Sequence, residues 1–137
     1  MDTNELAKLA LEARGNAYAP YSGYTVGAAL LTKSGKVYQG CNIENAAYSP
    51  TNCAERTAIF KAVSEGEHEF EAIAVAGGKG AEIEGSFPPC GVCRQVMAEF
   101  CDPETFRIII VKPDNIHEEY KLKDLLPLAF SGACMQN

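Results

Sequence analysis

The sequence predicts an α/β protein of three layers, α/β/α, built on a mixed five-stranded sheet. Three observations predict it. After a first helix the elements run strand, strand, helix, strand, helix, strand, strand, an order that places helices on both faces of a sheet. The unit from residue 70 to 112 has the strand–helix–strand form whose crossover is right-handed and whose strands pair parallel. The link Pro113-Asp114-Asn115 is too short for another crossover, so the last strand must return antiparallel.

Residues 3–17 are expected to form an amphipathic helix. Asp2 with Glu5 three positions on is an N-terminal cap pattern, and Leu6, Leu9, Ala10 and Ala13 fall at helical spacing. The segment Tyr18-Ala19-Pro20-Tyr21-Ser22-Gly23 breaks it. Tyr24–Thr32 and Lys36–Cys41 form a hairpin about a turn at Ser34-Gly35. Residues 42–51 are a polar loop. A helix follows from about Asn52 to Glu65, closed by Gly66, and Phe70–Ala76 is a short buried strand. Gly77 to Pro89 is long for a connection and suits a lid or a substrate-facing segment. A second core helix covers Gly91–Cys101. Phe106–Lys112, with its Ile-Ile-Ile-Val run, is a fully buried strand, and residues 116–122 lie at the sheet edge. Lys123–Ala129 makes a final helical turn or two, interrupted at Pro127. No linker, repeat or low-complexity tract divides the chain, so residues 1–137 are expected to be one domain.

Composition narrows the partners. Apolar content of 47% and charged content of 22% are ordinary for a soluble globular protein. Twelve Lys and Arg are scattered among eighteen Asp and Glu, for a net charge of −6, with no basic patch to hold a nucleic acid. Any nucleotide-like substrate is then expected to be a free, uncharged small molecule. Met1 to Glu5 lack the basic and apolar regions of a signal peptide, and no apolar run approaches the roughly 20 residues that span a bilayer. A reduced, cytoplasmic setting is expected, where clustered thiols bind metal or do chemistry more often than they form bridges.

The chemistry concentrates in two short stretches, Cys53-Ala54-Glu55-Arg56 and Pro89-Cys90-Gly91-Val92-Cys93-Arg94. They supply three thiols at metal-ligand spacing with no obvious fourth protein ligand, the signature of a zinc site with an open position. On a helix Cys53 and Glu55 stand about 200° apart, so they can share a site only over the helix end. Cys90 and Cys93 share a face. A metal between two helix N-termini satisfies both, and the helix dipoles favour the negative charge of thiolates. Arg56 or Arg94 could hydrogen-bond thiolate sulfur and draw charge from the metal. Other readings stand beside this one. Cys-x-x-Cys also occurs in redox sites and zinc ribbons, Glu55 has the spacing of a capping-box partner to Asn52, and a zinc-stapled interaction module needs no catalytic carboxylate. Cys41 and Cys101 look like small core residues and Cys134 a tail residue, while His68 and His117 are expected at the surface. Gly77-Gly78-Lys79-Gly80 lacks the ending of a phosphate loop.

Cys-Ala-Glu with Pro-Cys-x-x-Cys is the signature of zinc-dependent nucleobase deaminases, including their three-cysteine variant. Tyr18-Ala-Pro-Tyr-Ser, Val26-Gly-Ala-Ala-Leu, the block from Gly40 to Tyr48 containing Asn-Ile-Glu-Asn-Ala, and Leu125-Leu-Pro-Leu-Ala-Phe130 narrow the match. Over nearly the whole chain the sequence resembles the small, homotetrameric cytidine deaminases. The resemblance implies one Zn²⁺ per subunit held by Cys53, Cys90 and Cys93, with Glu55 as proton shuttle. It implies that Asn42 and Glu44 hold the ribose 3′-hydroxyl, that Ala54 and Tyr24 line the nucleoside pocket, and that Phe130 stacks on the base in a neighbouring subunit. Tyr24 departs from the Phe common at that position. Tyr48 would contribute to subunit contacts. The implied reaction is hydrolysis of cytidine and deoxycytidine to the uridine products and ammonia. An alternative within the same chemistry is another small cytosine compound such as blasticidin S, against which the Asn42-x-Glu44 pair argues.

Overall fold

Asp2 caps the first helix as its spacing predicts, its Oδ1 accepting from the Glu5 N–H at 2.9 Å. In the computed structural model, which describes residues 1–84 and 86–135, helix α1 spans Thr3–Ala13. It tightens into a 3₁₀ turn over Arg14–Asn16, where Gly15 and Asn16 are weak helix formers, rather than continuing helical to residue 17. Strands β1 (Tyr24–Thr32) and β2 (Val37–Cys41) form the expected hairpin. Helix α2 covers Ala54–Ser64, strand β3 Phe70–Lys79, helix α3 Gly91–Phe100, and strands β4 and β5 Arg107–Val111 and His117–Lys121. A single turn, α4, covers Leu122–Leu125. It is shorter than the segment expected to reach Ala129, because Pro127 cannot donate to the helical ladder.

The five strands lie in the order β2-β1-β3-β4-β5. Only β3 and β4 run parallel, with Ala72 beside Arg107 and Val75 beside Ile110. The other neighbours are antiparallel, β5 against β4 included. Successive side chains point to opposite faces of a strand, and the core divides accordingly. Ala29, Leu31, Ala74 and Ile109 meet Leu6, Ala7 and Ala10 of α1 on one face. Leu30, Ile73, Val75 and Ile108 meet Ala58 and Ile59 of α2 and Met97 of α3 on the other. Each fully buried Leu or Ile contributes on the order of 2 kcal/mol, so both faces need a helical cover. The three-layer α/β/α arrangement is what the sequence predicts.

β3 departs from its predicted end at Ala76. It continues through Gly77 and Gly78, which pair with Val26 and Thr25 of β1. The glycines serve close approach here rather than a turn. A Cβ at Gly77 would lie 2.6 Å from Cγ of Phe87, and one at Gly78 would strike the Glu82 carbonyl. The connection to α3 therefore begins at Gly80, not Gly77.

Candidate active site

The position of α2 is set by Gly40 on β2. A Cβ there would collide with the Ala54 carbonyl and stand 2.5 Å from the Ala58 nitrogen, so the first turn of α2 rests directly on bare backbone. Cys53 is the N-cap of this helix in extended conformation, and its carbonyl accepts the Thr57 N–H at 3.0 Å. Cys90 is likewise the N-cap of α3, its carbonyl accepting the Arg94 N–H at 2.9 Å, and Cys93 lies one turn in, fully buried. The two thiol stretches start two helices on the same face of the sheet, and their sulfurs converge.

Cys53 Sγ is 3.7 Å from Cys90 Sγ, and Cys90 Sγ is 3.5 Å from Cys93 Sγ. All three lie within 4.8 Å of one another, the one such cluster of metal-ligand side chains among the described residues. A tetrahedral zinc with Zn–S near 2.3 Å would set its thiolates about 3.8 Å apart, so this triangle fits that ion. Three thiol donors would leave a fourth position on such an ion to a reactant. The Cys53 thiol is held down to about 5 by its hydrogen bond to Cys93, against burial, and further by the Arg56 guanidinium. Arg56 donates to Cys53 Sγ at 3.2 Å. Of the two arginines next to the thiol stretches, Arg56 is the one that reaches a sulfur. Arg94 instead spans the carbonyls of Pro89 and Leu125 at 2.8 Å each, bracing the entry to α3.

Glu55 stands in the first turn of α2, only 4% exposed. It makes no capping box, because the cap is Cys53 and the Asn52 amide turns to the Thr57 hydroxyl at 3.1 Å. Burial pushes its carboxyl up to about 7, with a bond from its own backbone N–H opposing and the charge on Cys53 adding to the rise.

A cavity of about 250 Å³ opens above these groups. It is lined by Cys53, Cys90 and Glu55, by the apolar Ala54, Val26, Val75, Phe87 and Pro88, and by the polar Asn42, Glu44, Thr51 and Asn52. Asn42 is buried and clamps the start of β1, accepting from the Val26 N–H at 2.9 Å and donating to the Tyr24 carbonyl at 2.8 Å. Glu44 accepts from the N–H groups of Tyr21 (3.0 Å) and Ser22 (3.1 Å) and from the Ser22 hydroxyl. Tyr24 stands outside this lining, its ring tilted 40° against Phe87 at a centroid distance of 5.9 Å. Phe130 is 61% exposed and away from the cavity of its own chain, with its carbonyl fixed by Gln95 Nε2 at 2.7 Å.

Cys101 is buried, and burial alone pushes its thiol up to about 12; Cys41 is half-buried and Cys134 exposed. His68 is exposed, while His117 is only half-exposed and meets Asn4 Oδ1 at 3.0 Å. Sequence reasoning missed Phe87, Val26 and Val75 as pocket walls. The signals available were period-two alternation in the strands and the position of Phe87 three residues before Cys90.

Fold and site together define the class of zinc-binding deaminases. Residues 1–109 match the family model for the cytidine and deoxycytidylate deaminase zinc-binding region. A cytidine deaminase of Sporosarcina psychrophila is 51% identical over 131 residues, covering 96% of this chain and 93% of the relative. One from Halalkalibacterium halodurans is 49% identical over 137 residues and covers both chains entirely. A crystal structure of cytidine deaminase from Burkholderia pseudomallei superposes with a TM-score of 0.87 at 48% identity, over 95% of this chain and 100% of that one. The chain belongs to the cytidine and deoxycytidylate deaminase family.

Proposed function

We propose that this chain catalyses the hydrolytic deamination of cytidine and deoxycytidine to uridine and deoxyuridine, releasing ammonia, as one domain spanning residues 1–137. The observation that carries this reading is the buried Glu55 carboxyl lining a cavity of about 250 Å³ together with two of three converging thiols. Cys53, Cys90 and Cys93 hold one zinc ion, which when bound supplies the Lewis acidity that lets water ionise near neutral pH.

The rest of the work falls to the chain itself. Apolar side chains of Val26, Val75 and Phe87 receive the pyrimidine and exclude bulk water, while Asn42 and Glu44 in the same lining take the ribose 3′-hydroxyl. Asn42 keeps one amide hydrogen and one lone pair beyond its two backbone bonds for that purpose. Glu55 accepts a proton from the attacking water and delivers it to N3, which draws electrons from C4 and opens it to attack. Hydroxide adds at C4, and the carboxylate left behind takes the proton of that new hydroxyl and passes it to the amine, so the C4 carbonyl forms as ammonia leaves. A group poised near neutrality serves both as base and as acid, and burial gives Glu55 that character.

Supporting a homotetramer is Phe130, exposed and anchored by its carbonyl where a neighbouring subunit's cavity could receive it. Exposed Tyr21, Tyr48 and Leu128 add apolar surface for such contacts. No helix among the described residues is long and apolar enough to cross a membrane. We place the enzyme in the cytoplasm, where free thiols persist, with nucleosides rather than nucleic acids as partners.

The test is an ultraviolet absorbance assay of zinc-loaded protein with cytidine, deoxycytidine and blasticidin S in parallel. Loss of the cytosine-nucleoside band with uridine appearing is expected. Turnover of blasticidin S alone would move the pocket assignment, and turnover of none, with zinc firmly bound, would favour a structural metal.

A further inference from the structure

Phe87 stands three residues before Cys90, and nothing in the reaction above requires an aromatic ring there. Its half-buried ring rests on the bare backbone of Gly77, where a Cβ would come within 2.6 Å of Cγ. Tyr24 closes in from the outside, ring centroid 5.9 Å away. The chain is tied down from Gly80 to Glu84, shortly before Phe87. The Arg14 guanidinium, 8% exposed, donates to the carbonyls of Gly80 at 3.0 Å and Glu82 at 2.6 Å. The Thr25 hydroxyl donates to Gly80 O at 2.8 Å, and the Glu84 N–H to Gly77 O at 3.0 Å. Moving Gly80 and Glu82 outward would break two bonds to a buried cation.

Sheet order decides which edge of a bound base Phe87 meets. Helix α2 packs over β2 and β1, so Glu55 enters the cavity from that side. Phe87 is seated on β3, beside Val75, on the other side. In cytosine the ribose-bearing N1 lies across the ring from C4, and N3 and C5 flank C4 on opposite edges. With C4 over the thiols, the ribose at Asn42 and Glu44, and N3 at Glu55, the C5–C6 edge must face β3. That edge presents only C–H groups, which suits the Phe87–Val75 wall.

We propose that Phe87 is a specificity-determining residue that reads C5 of the pyrimidine, admitting hydrogen and excluding bulky 5-substituents. The proposal rests on the deamination reading above and deepens it.

Its test compares kcat and KM for cytidine, 5-methylcytidine and 5-iodocytidine in the zinc-loaded wild-type chain, Phe87→Ala and Phe87→Leu. The wild type should favour cytidine over 5-iodocytidine. Phe87→Ala should narrow that kcat/KM ratio by roughly tenfold or more, chiefly through the KM for 5-iodocytidine, with Phe87→Leu between the two. Electronic effects of the substituent cancel, because each variant meets the same substrates. Should Phe87→Ala fail to fold by circular dichroism and zinc content, Phe87→Leu carries the comparison. A wild type indifferent to the 5-substituent, or a ratio unchanged in the folded variants, overturns the proposal and leaves cytidine deamination standing. A wild type inactive on cytidine overturns both.

Discussion

The Arg56 guanidinium donates to Cys53 Sγ at 3.2 Å, and its buried Nε has no hydrogen-bond partner among the described residues. The burial of this cation opposes its charge, yet the bonds to thiolate more than offset that opposition. A cation held against its own desolvation is matched to a negative cluster. Three thiolates around a divalent ion would carry a net −1, a charge that the Arg56 guanidinium is placed to offset. Replacing Arg56 with Gln is therefore expected to weaken zinc binding by about 10–100-fold. Competition against a chromogenic chelator measures it, and Arg56→Lys should recover part of the loss by keeping the charge.

Glu55→Gln preserves the side-chain volume at a 4% exposed position and removes the ionisable carboxyl. Fold and zinc content should remain at wild-type levels. Turnover of cytidine should fall by about 10²–10⁴-fold, the range of general acid–base catalysis. Near wild-type turnover with full metal occupancy would remove Glu55 from the proton path.

How much of this was legible in the sequence differs residue by residue. The thiol triad was legible because metal ligation constrains spacing, and helix starts at Cys53 and Cys90 follow from the surrounding patterns. The choice between Arg56 and Arg94 was not, since both follow a ligand cysteine by one or three positions. Only packing shows that Arg94 is committed to the Pro89 and Leu125 carbonyls. The Gly77-Gly78 pair looked like the start of a loop because glycine marks turns and close contacts alike. Its true meaning depends on Phe87 and Glu82, which reach it through a later loop. Asn42 was expected only to bind ribose, but its amide also holds the start of β1.

Glu44 gives the pocket a pH dependence. The Ser22 hydroxyl first, then the Ser22 and Tyr21 N–H groups, hold its carboxyl below the usual 4.5. A carboxyl depressed in the folded state contributes stability that is complete above its unfolded value. That contribution is lost as pH falls through the folded value. The difference in melting temperature between wild type and Glu44→Gln should therefore be constant from pH 7 to about 5.5 and shrink below about pH 4.5. At pH 7 the same variant should raise the KM for cytidine more than it lowers kcat if, as proposed, Glu44 takes the ribose end rather than C4. A gap in melting temperature that widened on acidification would contradict the hydrogen-bond pattern.

Gly40 links the sheet to the chemistry, and its replacement is the sharpest test of how the site is positioned. A methyl group at this position meets the Ala54 carbonyl and the Ala58 nitrogen, both backbone atoms of the helix that carries Glu55. Neither can rotate away, so α2 must shift as a body or its first turn must distort. Overpacking of this kind costs about 1–3 kcal/mol, and contact with rigid backbone points to the upper end. Gly40→Ala should therefore lower the urea midpoint and depress kcat for cytidine, as Cys53 and Glu55 move relative to Cys90 and Cys93 on α3. Gly15→Ala is the control, because nothing lies within 4 Å of the added carbon. Its effect should stay within about 1 kcal/mol, on the stabilising side, with kcat unchanged. If Gly40→Ala matched this control in both stability and turnover, the seating of α2 on β2 would not be what places Glu55 over the thiols.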